Sequence, residues 1–129
     1  MSEQKKGDLT IRVLAMPADT NPSGDVFGGW LLSQMDIAGG VFCRKIAKGR
    51  VVTVAIDSTT FKLPVFVGDT LCCYVHLIKK GRTSITVGIE AWVNREFGEE
   101  GSSIKVTEGE YTYVKVDEKR NPIPIVQPF

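Results

Sequence analysis

One stretch restricts the possible folds more than any other: the run from Pro17 to Gly29, and the segment it opens, Trp30 to about Lys48. Asp19, Thr20, Asn21, Ser23 and Gly24 are turn and cap formers, and Pro17 and Pro22 forbid a continuous helix or a central strand there. The segment that follows is apolar nearly all round, with Trp30, Leu31, Leu32, Met35, Ile37, Ala38, Val41, Phe42, Ile46 and Ala47. A helix without a clean polar face is one that becomes covered on most sides. Gly49 is expected to end it as a left-handed C′ residue, with Lys45 and Lys48 in the last turn.

Within this apolar helix stands one carboxylate, Asp36, with Gly39 and Gly40 shortly after it. An aspartate in such surroundings is costly unless it is paired, hydrogen-bonded or used. It could share a narrow solvated stripe with Ser33, Gln34 and Arg44. The glycines favour use. Gly28 and Gly29 at the helix start leave N–H groups unsatisfied at the positive end of the dipole, with no Cβ to block a ligand. Donors suited to a developing oxyanion, followed on one helix by a lone carboxylate, suit a hydrolase.

At 129 residues the chain makes one domain. A net charge of +1 argues against nucleic acid as the main partner. No apolar run is long enough to span a bilayer, and residues 1–7 carry no signal core, so a cytoplasmic protein is expected. Cys72 and Cys73 are adjacent and should face opposite sides of a strand, so with Cys43 they are read as reduced packing thiols.

Residues 1–7 should be a loose N-terminus, 8–118 the folded domain and 119–129 a C-terminal tail, with Pro122 and Pro124 unsuited to a sheet interior. Strands are expected at 9–15, at 51–56 (apolar on both faces, hence central), at 71–79, at 85–93 and at 104–116. The run 85–93 is the cleanest alternation. Turns fall at Val67-Gly68-Asp69, Lys79-Lys80-Gly81-Arg82 and Gly98–Gly101, and a bulge is expected near Gly109. One long helix plus about five strands in hairpins is an α+β pattern, best met by an antiparallel sheet wrapped around a central helix.

The motif Asp19-Thr20-Asn21-x-x-Gly24-Asp25-x-Phe27-Gly28-Gly29-Trp30, continued by Met35-Asp36-x-Ala38-Gly39, closely resembles the hotdog-fold acyl-CoA thioesterases, nearest the bacterial short-chain subgroup. Leu14–Pro17, Gly49–Val54, Val67–Asp69 and Gly81–Ser84 extend the resemblance over most of the chain, and Gly109 and Glu110 depart from it. It implies hydrolysis of acyl-coenzyme A to a free acid and CoA. It gives the catalytic carboxylate to Asp36 and the helix-start donor to Gly29 with Gly28. Asn21 matches a loop residue that orders the loop or holds a water. No cofactor is implied, since CoA belongs to substrate and product. The implied assembly is a homodimer with shared sites, extended to a trimer of dimers.

Several roles follow from the chemistry. Asp36 can act as general base on water or attack the thioester directly. Lys80, Gly81, Arg82 and Ser84 are the preferred contacts for the CoA phosphates, because backbone N–H groups near Gly81 would add to the charge. His76, the only histidine, lies mid-strand and is read as structural; a hotdog dehydratase would need a histidine in the helix region. The other reading is a non-catalytic acyl-CoA-binding regulator, which has no use for Asp36. Finally, Gly29 and Asp36 are seven residues apart, roughly 10 Å along a helix axis. One chain's Asp36 therefore falls short of a thioester held at its own Gly29, whereas two antiparallel helices about a two-fold axis would bring each to the other.

Overall fold

The cleanest alternating run becomes the middle of a sheet. Ser84–Asn94 (β4) pairs antiparallel with Thr70–Lys80 (β3) on one side and Ser103–Lys115 (β5) on the other. Asp8–Leu14 (β1) adds outside β3 and Val51–Phe61 (β2) outside β5, in the order β1-β3-β4-β5-β2. The computed structural model describes residues 4–95 and 103–125. The turn expected at Gly98–Gly101 lies outside them.

Gly28–Ala47 (α1) crosses one face of this sheet and touches all five strands. Leu31, Met35, Ala38, Cys43 and Ala47 join Val75, Ile85, Val87, Ile89 and Val93 in the core, as strand alternation requires. The opposite face of β4 is covered too. Glu90 and Trp92 are buried there, and residues 4–7 contribute a Lys6 N–H to Glu90 and the Lys5 ammonium over the Trp92 ring.

Three local expectations are corrected. The left-handed residue ending α1 is Lys48 (φ 55°), whose N–H closes on the Arg44 carbonyl at 2.8 Å, while Gly49 follows with space for the Lys115 side chain. The strand beginning at Val51 is an edge, not a central strand; its apolar residues Val54 and Ile56 are 55% and 43% exposed. Apolarity on both faces here reflects a surface awaiting cover rather than two sheet neighbours. The bulge facing Gly109 lies on β2, where Ser58 (φ 54°) and Thr59 together oppose that glycine, and a second irregularity interrupts β5 beside Val106.

The helix is likewise covered on one side only: Ile37 and Val41 remain exposed. Beyond β5, residues 116–125 fold back, with Val116 bridged to Pro122 and the Ile125 N–H donated to the Arg82 carbonyl.

Candidate active site

Asn21 ties the loop before α1. Its side-chain Oδ1 accepts the N–H groups of Ser23 (2.9 Å) and Asp25 (3.2 Å), and its own N–H donates to the Asp25 carbonyl at 2.7 Å. Gly24 lies inside this loop at φ +92°, a backbone conformation that glycine adopts freely. A bridge between Thr20 and Val26 closes it, so the chain enters the helix in a set direction.

Helix α1 then begins with no side-chain cap. Gly29 has open space where a Cβ would stand, and a Cβ added to Gly28 would stand 3.5 Å from the Phe61 ring. The first N–H groups of the helix are therefore accessible donors at its positive end. A cleft of about 310 Å³ opens beside them, lined by Asn21, Asp25, Gly28, Leu31, Phe61 and Val65 among others. Asp25 is held in the loop through its backbone and lines this cleft.

Asp36 is half-buried, two turns along the helix. It turns away from a solvated stripe and toward the sheet. Its Oδ1 accepts the hydroxyls of Thr53 at 2.6 Å and Tyr113 at 2.8 Å. Thr53 and Tyr113 are direct cross-strand partners on β2 and β5, so both reach the same face. Oδ2 receives no hydrogen bond, and no cation pairs with Asp36, among the described residues.

A match of repeats builds this contact. The Tyr113 hydroxyl also lies 2.9 Å from the Asp36 carbonyl, and Tyr111 donates to the Leu32 carbonyl at 3.2 Å. Two residues along a strand span about 6.6 Å and four along a helix about 6 Å, so the two spacings nearly coincide. The tyrosine rings stack with centroids 6.5 Å apart. Gly39 makes the approach possible: a Cβ there would lie 2.8 Å from Tyr113 ring carbons and collide with its hydroxyl. Burial, then the Asp36 hydrogen bond and charge, pushes the Tyr113 phenol well above its ordinary range, and burial does the same at Tyr111. Both therefore stay protonated donors at neutral pH.

Sequence reading missed Thr53 and Tyr113. Thr53 left a faint signal, as the lone hydroxyl within the apolar run Val51–Ile56. Tyr113 left only its period-2 relation to Tyr111; its contact with Asp36 spans 77 residues.

The phosphate candidates lie elsewhere. Lys80, Gly81, Arg82 and Ser84 form the β3–β4 connection, and the Thr83 carbonyl accepts the Lys115 N–H. Lys115 pairs with Val51, just past the end of α1, whereas Gly28 lies by Phe61 at the other end of β2. Within one chain the hairpin does not converge with the glycine pair. The Gly81 N–H is moreover taken by the Ser84 carbonyl at 2.8 Å, so it is no free anion donor; Lys80 and Arg82 are exposed. His76 lies on the sheet face away from the helix, its ring in the space a Gly88 side chain would need. All three cysteines are free and buried, and burial pushes the Cys43 and Cys73 thiols up to about 12.

One long helix cradled by a five-stranded antiparallel sheet is the hotdog fold. The chain belongs to the thioesterase superfamily, whose family model matches residues 23–96. It is 50% identical over 126 residues to the acyl-CoA thioester hydrolase YciA of Salmonella typhimurium, covering 97% of this chain and 95% of that protein. Against YciA of Escherichia coli K12 the identity is 52% over 118 residues, covering 91% and 89%. Among solved structures, the hexameric thioesterase y2039 from Yersinia pestis superposes with a TM-score of 0.91 at 50% identity, covering 96% of this chain and 99% of that one. HI0827, a hexameric broad specificity acyl-coenzyme A thioesterase, gives 0.91 at 46%, covering 98% and 86%.

Proposed function

We propose that this chain is an acyl-CoA thioesterase, adding water across the thioester to release a carboxylic acid and CoA. The observation that carries this reading is Asp36: a carboxylate oriented by two neutral hydroxyls, with one oxygen unfilled and no cation on it among the described residues. Asp36 acts as general base on water or as the nucleophile itself, and the Gly29 N–H polarises the carbonyl and stabilises the tetrahedral oxyanion. Collapse of that intermediate expels the CoA sulfur, which leaves as the thiol. No cofactor enters this reaction. Asn21 orders the loop that shapes the approach to Gly29, and Lys80 and Arg82, beside Gly81 and Ser84, are the proposed contacts for CoA phosphates. The relatives named as acyl-CoA hydrolases support the substrate class. A non-catalytic binder would have no need of a carboxylate oriented in this way. Free, buried cysteines suit a cytoplasmic enzyme, and no helix among the described residues is long and apolar enough to cross a membrane.

We further propose that two chains build each site. Gly29 and Asp36 are roughly 10 Å apart along one helix, so each Asp36 would serve the partner's thioester. The exposed Ile37 and Val41 on α1, with Val54, Ile56 and Phe61 on edge strand β2, supply apolar surface for such a dimer. The hexameric neighbours support a trimer of dimers. Complementation tests this. Asp36→Asn chains and Gly29→Pro chains, each inactive, should regain acyl-CoA hydrolysis when mixed, because a heterodimer holds one intact site. Verified subunit exchange without recovered activity would overturn the shared site.

A further inference from the structure

One of the two donors to the Asp36 carboxylate stands 77 residues away on β5. We propose that Tyr113, working with Thr53, is a positioning residue for the reaction: it holds Asp36 by Oδ1 and so presents Oδ2 to water or thioester. This inference rests on the thioesterase reading given above.

The geometry supports it in three ways. First, the two donors take the same oxygen, at 2.6 and 2.8 Å, which restricts rotation of the carboxylate while leaving the second oxygen without a protein donor among the described residues. Second, the Tyr113 hydroxyl is doubly located, because it also lies 2.9 Å from the Asp36 carbonyl. The helix backbone and the side chain are thus referenced to one atom. Third, Gly39 lies one turn beyond Asp36 and has no Cβ where that hydroxyl passes. A glycine inside a helix costs about 1 kcal/mol relative to alanine, and here it makes room for the tyrosine.

Neutral donors suit the task. A lysine or arginine in this place would orient the carboxylate but also neutralise it and blunt its basicity. A buried phenol gives direction without a compensating positive charge. Within the chain, Tyr111 and Tyr113 on β5, Cys73 on β3 and Cys43 on α1 lie around this contact, and burial raises each of them, so none brings a charge to it at neutral pH.

The test is Tyr113→Phe in the full-length enzyme, which deletes one oxygen and keeps the ring. With an acyl-CoA substrate, kcat should fall about tenfold with KM little changed. In an Asp36→Asn background the same change should cost less than about twofold, because a residue acting through Asp36 has nothing left to position. An unchanged kcat, or a loss that multiplies in the double variant, overturns the inference. If Tyr113→Phe does not fold, Thr53→Val decides: kcat should fall with KM little changed in the wild-type background and hardly at all in the Asp36→Asn background, and an unchanged kcat or a multiplying loss overturns the pair. Wild-type turnover in Asp36→Asn alone would instead sink the thioesterase chemistry, so the two failures are distinct.

Discussion

Two carboxylates, one on each side of the sheet, are handled in opposite ways. Glu90, on the face away from the helix, is 5% exposed and engaged at both oxygens. Oε1 accepts the Trp92 indole N–H at 2.9 Å and the Lys6 backbone N–H at 3.2 Å, and Oε2 faces the Lys105 ammonium at 3.7 Å. Lys105 in turn reaches Glu108, which Lys62 also pairs; these donors hold the Glu108 carboxyl below its ordinary range. Asp36, on the helix side, has as partners among the described residues only neutral hydroxyls, both on one oxygen. The first arrangement cancels a charge so that it can be buried. The second keeps a charge oriented but uncompensated, which costs stability and leaves the group able to react.

Exchanging each carboxylate for its amide would break this comparison if it is wrong, and it carries the largest effect. Asp36→Asn should lower kcat for acyl-CoA hydrolysis by about 10²–10⁴-fold, with thermal unfolding unchanged or slightly improved. Glu90→Gln should do the reverse, leaving kcat within about twofold while lowering stability by about 1–3 kcal/mol in denaturant titration. Matching losses of activity in both variants would erase the distinction.

Gly39→Ala sharpens it by disturbing the hydroxyl that orients Asp36. The new methyl collides with Tyr113, so stability should drop by about 1–3 kcal/mol and kcat should fall together with it. A stable, fully active Gly39→Ala protein would mean that Tyr113 need not sit where it does.

The smallest expected effect concerns pH. Cys43 and Cys73 are raised to about 12 by burial from an ordinary value near 9. Below pH 9 they are protonated in both folded and unfolded chains and contribute nothing to pH dependence. From there toward pH 12 the unfolded chain ionises first, so stability declines as pH rises. Tyr111 and Tyr113 are raised in the same direction and add to the decline. Melting temperatures recorded from pH 8 to pH 11 should fall steadily at the alkaline end, and thiol reagents at pH 8 should leave Cys43 and Cys73 of the folded protein unmodified. Ready modification of either thiol in the folded state would count against closed packing around the helix.

Much of the site is local and therefore legible. The turn-forming loop around Asn21, the glycine pair opening a helix and the lone Asp36 each follow from short spacings, and the structure places Asn21 and Gly28 around one cleft. Thr53 and Tyr113 were not legible as site residues, because neither departs from what a strand ordinarily carries. The role of Gly39 was not legible for a related cause. A small residue on a helix reports that something approaches closely, but not what, and here it is a tyrosine of the same chain.

What the sequence determined by itself is the set of elements and the candidate carboxylate. The apolar helix, the alternation at 85–93 and the turn residues between them are periodicities a few residues long, and they admit little besides one helix against an antiparallel sheet. Tertiary structure alone decided neighbours. Val51–Ile56 is equally apolar for a central strand and for an edge, and only the order β1-β3-β4-β5-β2 leaves it at the rim with Val54 and Ile56 exposed. The partnering of Asp36 was settled the same way. It depends on the register that sets Thr53 against Tyr113, and a period-2 pattern looks the same in any register that keeps its inward face inward.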